Sequence, residues 1–266
     1  MADDLAELRR KVAISCRILG SELGSGGHVS ARIPDTNEMW LRCRGGRAEN
    51  GLAATDLHHI RRVDFDGEGP ELGPKHASPH ETPLHGEVYR ARPEVGAVAH
   101  VHPRYALLCG VAGVEFVPVT GGYNPGLLRI ALQGVPVYPR AATVTDKEMA
   151  GEMLEVMGSR DIVLLRGHGI AAVGRTVEAA TSLAIRFETL CELMWQLALS
   201  GRKPFEVSPE DKARYDPNRR GPAVPASRDW QTLLNTGDGE EMGWRGYVRK
   251  LERTAGLPDE NVEGFG

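Results

Sequence analysis

His100 and His102 stand two residues apart in Ala97-Val98-Ala99-His100-Val101-His102-Pro103, a run of small apolar residues that reads as a strand. Side chains two apart on a strand leave from the same face, so both imidazoles point one way. Pro103 lacks a backbone donor and closes the strand, which puts the pair at its end, where an α/β protein often builds a site. A second segment repeats the arrangement: the apolar run Asp161–Leu165 leads into Gly167-His168-Gly169, a turn that exposes a third imidazole. Upstream lies a carboxylate, Glu81, 19 positions before His100 (100 − 81). Three imidazoles with a carboxylate nearby can hold a divalent metal ion and leave positions open for a substrate. Separate core or surface histidines are the plainer alternative, and the Gly-His-Gly turn argues against it. Zinc, manganese, iron and cobalt all suit three imidazoles.

The elements that must position these groups follow from the pattern. Leu5, Leu8, Val12, Cys16, Leu19 and Leu23 step by three and four, predicting a first helix from about Asp3 to Glu22. Strands are predicted over His28–Ile33, Glu38–Cys43 and Ile60–Phe65, and further ones near Glu115–Val119 and Val135–Tyr138. Helices are predicted over Glu81–Arg92, Arg104–Cys109 and Asp146–Met157, the last capped by Thr145 or Asp146. The strongest helix starts near Thr176, with Val177, Ala180, Leu183, Ala184, Phe187, Cys191, Met194 and Leu197 on one stripe. A helix and a turn separate Glu81 from His100, a path that returns the chain antiparallel and brings Glu81, at the helix N-terminus, to the imidazole end of the strand. His85 is one turn further on, as a fourth ligand or a group behind the ligands.

Length, charge and cysteine usage bound the class of protein. The chain has 266 residues, 41% hydrophobic and 26% charged, with a formal net charge of −4, which gives no reason to expect a nucleic acid or membrane partner. The acidic start Met1-Ala2-Asp3-Asp4 does not read as a secretion signal, and no stretch is apolar for long enough to span a bilayer. Cys16, Cys43, Cys109 and Cys191 are scattered, as expected of reduced thiols in a cytoplasmic protein. Residues 1–200 read as one catalytic domain. Residues 201–266 turn polar and rich in proline and arginine, and Trp230, Trp244 and Tyr247 mark them as an extension that docks on the domain or on a neighbouring subunit, with a helix around Trp244–Thr254.

From about Leu5 to Ala198 the sequence resembles the class II aldolase/adducin-like family. The likeness rests on Glu81, Leu84–Pro93, Val98-Ala99-His100-Val101-His102-Pro103 and Leu164-Leu165-Arg166-Gly167-His168-Gly169-Ile170. The resemblance implies a three-layer α/β fold with a central, mostly antiparallel sheet flanked by helices. It implies one divalent ion per subunit on His100, His102 and His168, Glu81 as acid/base, and a tetramer or a multiple of it with active sites at subunit boundaries.

Departures from the family pattern point to the substrate. Sugar-phosphate members typically hold phosphate with a Gly-Asn-x-Ser turn, a Ser/Thr-Gly turn and a Ser-Ser pair before the glutamate. Here those positions read Gly27-His28-Val29-Ser30, Arg42-Cys43-Arg44-Gly45-Gly46 and Pro79-His80. Arginine grips a planar carboxylate in bidentate fashion, so Arg44 is expected to bind one, while Arg42 is expected to be an exposed strand residue. His28, Ser30, Gly45 and His80 complete the expected substrate-binding set, and Cys43 borders it. A metal beside a carboxylate pocket suggests decarboxylation, which shares with aldol cleavage the need to stabilise electrons from a broken C–C bond. The chain resembles the family's decarboxylase branch, whose members carry His where sugar enzymes carry Asn, as at His28, and decarboxylate ortho-hydroxy aromatic or pyridine dicarboxylates. The resemblance implies decarboxylation of a hydroxylated aromatic dicarboxylate such as a dihydroxyphthalate, in aromatic catabolism, with Glu81, His28 or His80 delivering the proton. The alternatives are an aldolase or epimerase on a sugar phosphate or an acidic hydroxy-carbonyl compound, and an adducin-like interaction module without metal. The three intact histidines disfavour the latter.

Overall fold

Apolar residues alternate along the central strands with opposite partners on each side, and this alternation builds three layers. A computed structural model describes residues 2–24, 26–45, 51–120, 124–205, 207–215 and 238–258. The elements that carry the site are α1 (Ala2–Leu23), β1 (Gly27–Arg32), β2 (Glu38–Arg42), β3 (Arg44–Gly45), β4 (Ile60–Asp64), β5 (His76–Ala77), α2 (Thr82–Ala91) and β6 (Ala97–Val101). They are followed by α3 (Arg104–Ala112), α4 (Pro125–Gln133), β7 (Val137–Tyr138), α5 (Lys147–Met157), β8 (Ile162–Leu165), β9 (Gly169–Gly174), α6 (Val177–Ser200), α7 (Pro209–Tyr215) and α8 (Asp238–Thr254).

Seven strands pair in the order β4-β2-β1-β6-β9-β8-β7, antiparallel except for the β7–β8 edge. Ala97, Ala99 and Val101 of β6, Val29 and Ala31 of β1, and Ile170 and Ala172 of β9 face one core, packed with Val12, Cys16 and Leu19 of α1 and Ala184, Phe187 and Cys191 of α6. Residues of the opposite parity, Val98, Ala171, Val173, Met39 and Leu41, face a second core with Leu84, Val88 and Tyr89 of α2 and Met149 and Met153 of α5. Each fully buried Leu, Val or Phe stabilises by about 1.5–3 kcal/mol, so both faces of the sheet resist a shift of register. By parity, His28, Ser30 and His100 must leave the sheet on the α2 side.

The mostly antiparallel sheet between helices matches the expected fold class, and α1, α2, β1, β2, β4, β6, β8 and α6 fall within a few residues of their expected bounds. Asp146 caps α5 by accepting from the Met149 N–H, and Thr176 caps α6 through the Ala179 N–H. The strand expected near Glu115–Val119 is irregular chain instead. Pro118 cannot donate to a ladder, and the apolar residues are consumed by packing, with Phe116 stacked on Phe187 at 5.5 Å. Helix α4, the short β3–β5 pair and α7 were not anticipated. Trp244 and Leu251 of α8 join the first core; Trp230 lies outside the described residues. No helix among the described residues is long and apolar enough to cross a membrane.

Candidate metal centre and adjoining pocket

His28 lies directly opposite His100 in the β1–β6 register, with ring centroids 5.0 Å apart. His102 follows just past the end of β6, its ring 4.8 Å from that of His100. The β8–β9 turn brings up His168, whose ring lies 4.7 Å from His102 and 5.0 Å from His100. Two glycines make this turn possible. Gly167 takes φ +69°, and a Cβ on Gly169 would lie 2.4 Å from the Val101 carbonyl oxygen and 2.9 Å from His102 Cδ2.

Glu81 occupies the position before α2, yet its side chain does not cap the helix. The carboxylate turns instead to the sheet: Oε2 lies 3.2 Å from His100 Nε2 and 3.7 Å from His28 Nε2, and Oε1 lies 3.5 Å from His168 Nε2. One ligand-type atom from each of Glu81, His100, His102 and His168 falls within 4.8 Å of the others. Pro103 thus ends a strand whose neighbours on both sides run antiparallel, and the site owes its place to the β8–β9 turn and the start of α2 rather than to the strand-end rule for parallel sheets.

Three observations fit a cation at the centre of this cluster. His100 Nδ1 lies 2.9 Å from the Ile170 carbonyl oxygen, so it carries the hydrogen and leaves Nε2 as a lone pair facing inward. His102 Nε2 converges on that same nitrogen at 2.9 Å. Glu81 Oε1 is buried without a hydrogen-bond partner.

The electrostatics keep the donors in metal-binding form. Burial pushes His102 down to about 3, reinforced by His100 and His168, and burial also lowers His168. Burial alone would raise Glu81, but the contacts with His100 and His28 override it and hold the carboxyl well below the usual range. Burial also lowers His28, to about 4, against the pull of Glu81. The cluster therefore sets an ionised carboxylate beside the neutral imidazoles of His28, His102 and His168.

A cavity of about 280 Å³ adjoins the cluster, lined by Gly26, Gly27, Arg42, Cys43, Arg44, Gly45, Gly51 and His59. Gly26 links the two, since a Cβ there would stand 3.7 Å from His102 Nδ1. Pairing of Arg44 with Ala77 and Gly45 with His76 holds the Arg44 end of the wall. Arg42, expected to be exposed, is half-buried: its guanidinium donates to Thr55 Oγ1 at 3.4 Å and the Gly51 carbonyl at 3.3 Å, because β2 ends where the chain folds over it. His59 was missed. Its Nδ1 accepts the Asp56 N–H at 3.0 Å, so the neutral ring carries its hydrogen on Nε2, which is buried and has no partner. An Asp-x-x-His turn just before a strand was the available signal.

Among the remaining expected residues, Gly45 and Cys43 line the cavity and Ser30 is fully buried behind the cluster. His80 is exposed, and among the described residues the cluster does not include it; Gly46 lies outside them. A larger hollow of about 790 Å³ opens at the opposite end of β1 and β6, near Arg32, Gly96 and Trp244, away from these groups.

This sheet and this cluster define a class: the chain belongs to the class II aldolase and adducin N-terminal domain family, which matches residues 10–195. Within it, the chain is 40% identical to a 3,4-dihydroxyphthalate decarboxylase from Arthrobacter keyseri over 215 residues, 78% of this chain and 86% of that one. It is 36% identical to a 3,4-dihydroxyphthalate decarboxylase from Terrabacter over 257 residues, 94% of this chain and 100% of the relative. The crystal structure of an aldolase II superfamily protein from Pseudomonas syringae superposes with TM-score 0.73 at 19% identity, covering 95% of each chain.

Proposed function

We propose that the protein is a metal-dependent carbon–carbon lyase that decarboxylates a hydroxylated aromatic dicarboxylate, with 3,4-dihydroxyphthalate as the substrate to try first. The observation that carries this reading is the pocket wall beside the cluster, where Arg42 and Arg44 offer guanidinium donors to a carboxylate. The activity of the Arthrobacter and Terrabacter relatives agrees with it.

His100, His102 and His168 hold one divalent ion in this reading, and Glu81 lies against them as the acid/base. The ion, when bound, supplies Lewis-acid stabilisation of negative charge on a substrate oxygen. Arg44, with Gly45 next to it on β3, holds the carboxylate that is retained. Glu81, ionised in the free protein, accepts the proton of the phenol ortho to the departing carboxylate and returns it to the ring carbon. The C–C bond then breaks, carbon dioxide leaves, and the electron pair restores the aromatic ring with its phenolate oxygen. His28 stands next to Glu81 to steady that proton, and His80 is the outermost candidate donor.

Residues 1–200 form the catalytic domain in this reading and 201–266 an extension, partly docked through α8. The four cysteines are buried and free, in keeping with a reducing cytoplasm; a place in aromatic catabolism follows from the proposed substrate. The exposed Val111 and the half-buried apolar chain from Val114 to Val119 suit a subunit contact, and a tetramer with sites at its boundaries is the assembly we propose. Metal-loaded protein incubated with 3,4-dihydroxyphthalate and, separately, with sugar phosphates decides the reaction. Carbon dioxide is expected from the first and no aldehyde from the second; aldehyde from a sugar phosphate without carbon dioxide from any aromatic acid would establish the aldolase alternative instead.

A further inference from the structure

Behind His28 runs a line of buried polar groups that the reaction above leaves unused. His28 Nδ1 lies 2.6 Å from His85 Nε2, His85 Nδ1 lies 2.7 Å from Ser30 Oγ, and Ser30 Oγ lies 2.7 Å from the Tyr89 hydroxyl. His85 and Ser30 are wholly shielded from solvent and Tyr89 nearly so. Burying four polar side chains in a row is expensive unless every one is satisfied, and a satisfied chain has a definite sense.

Neutral imidazoles and hydroxyls each donate once along such a line, so only two senses exist. In one, Tyr89 donates to Ser30, Ser30 to His85 Nδ1, and His85 Nε2–H to His28 Nδ1, leaving the His28 Nε2–H to point at Glu81 Oε2, 3.7 Å away. In the other, every hydrogen is reversed and His28 turns a lone pair toward an ionised carboxylate. His100 Nε2 already faces that oxygen as a lone pair at 3.2 Å, so His28 is the neighbour able to turn a hydrogen toward it; the first sense supplies that donor and the second does not. Both rings are buried, His85 wholly, and no carboxylate among the described residues touches His85, so a second, charge-bearing hydrogen on the line would be stranded away from water. At the far end, burial raises Tyr89 well above the ordinary phenol range, so the line cannot run backward by ionising its last member. It is a lock rather than a wire.

We propose that His85, Ser30 and Tyr89 are positioning residues that hold His28 as its Nε2–H tautomer, aiming one hydrogen at the reacting end of Glu81. The catalytic consequence rests on the decarboxylase reading; the tautomer does not. A neutral donor fixed against Glu81 keeps the carboxylate oriented between taking the phenol proton and giving it to the ring carbon. A bare cavity wall in place of His85 leaves His28 Nδ1 without its donor and both tautomers open.

The test uses zinc-loaded, histidine ¹⁵N-labelled protein, with the His28 signals assigned by their loss in His28→Asn. Wild type is expected to show His28 hydrogen-bearing at Nε2. His85→Leu, close in volume, is expected to give mixed tautomers and to lower kcat for 3,4-dihydroxyphthalate by at least about tenfold with KM within about twofold. His85→Gln, whose amide can donate to His28 and accept from Ser30, is expected to restore both the spectrum and kcat. Tyr89→Phe, which removes only the terminal hydroxyl, is expected to fold normally and fall between these two. The lock is overturned if wild-type His28 carries its hydrogen on Nδ1, or if the tautomer is unchanged in both His85→Leu and Tyr89→Phe. If wild type releases no carbon dioxide while the tautomer behaves as stated, the substrate reading fails and the lock stands.

Discussion

His28 stands directly across from His100 on the neighbouring antiparallel strand, and the two rings approach to 5.0 Å between centroids. Cross-strand partners share a face, so the apolar residues that set the β1–β6 register also set the distance between the proposed metal ligand and the proposed acid/base neighbour. A slip of one residue by either strand would send its imidazole into the α1–α6 core and part the two rings. Packing and chemistry are therefore one constraint at this site.

The metal assignment predicts that His102→Ala and His168→Ala purify with far less than one divalent ion per chain. Loss of one of three imidazoles should weaken binding by at least about a hundredfold. The helices keep their own core, so far-UV circular dichroism should stay near that of wild type. Elemental analysis after dialysis checks this, and a stoichiometric ion in both variants would remove these histidines from the ligand set.

Glu81→Gln keeps the size of the side chain and one acceptor but cannot carry the proton. Turnover is expected to fall by about a hundredfold or more, the scale of a lost general acid/base, with metal content unchanged. Loss of metal together with activity would instead make Glu81 a fourth ligand, a role its place 3.2 Å from His100 Nε2 also permits.

The cluster was legible because its signals are local. His-x-His on an apolar strand and Gly-His-Gly between two strands declare their geometry in three residues each; a glutamate at a helix start reads on its own as no more than that, and the role of Glu81 comes from the family resemblance. His59 did not declare itself, because its significance is a ring hydrogen that a turn at Asp56 forces onto Nε2, and a turn of three residues has no period to read. β3 and β5 are two residues each and likewise carry no alternation, so the wall that places Arg44 was invisible. The apolar spacing of Glu115–Val119 was real, but Pro118 and the fit of Phe116 on Phe187 turned it to packing rather than pairing. α4 carried a clear start, Asn124-Pro125 with the Asn124 side chain accepting from Leu127 N–H at 3.3 Å, inside a stretch that otherwise reads as loop.

His59 also makes stability depend on pH. Burial, then the nearby His58 and Arg42, lowers it from 6.5 to about 4 in the folded protein. In the unfolded chain it takes up a proton near the ordinary imidazole value, so between these two values the unfolded state binds more protons. Stability must therefore fall as pH drops through that window. His59→Gln, whose amide oxygen can accept the Asp56 N–H, is expected to lose about 1–2 kcal/mol less than wild type between pH 7 and pH 5. Denaturant unfolding at the two pH values measures the difference, and equal losses would mean that folding leaves the proton affinity of His59 unchanged.

Arg44 sets the choice of substrate in the proposed reaction. It is exposed at the cavity mouth, held on β3 by its pairing with Ala77, and it belongs neither to the metal cluster nor to a core. Removing it should therefore leave metal content and folding intact. A guanidinium–carboxylate pair loses its energy when either partner is deleted, so the two deletions should not add. Arg44→Ser is expected to raise KM for 3,4-dihydroxyphthalate by about tenfold or more, the worth of one charge-assisted hydrogen bond. For 2,3-dihydroxybenzoate, which lacks the second carboxylate, the same substitution should change KM little. Measuring both substrates with both proteins closes the cycle. An equal effect on the two would show that Arg44 touches the departing carboxylate or only the surface field, and the retained carboxylate would then have to lie against Arg42.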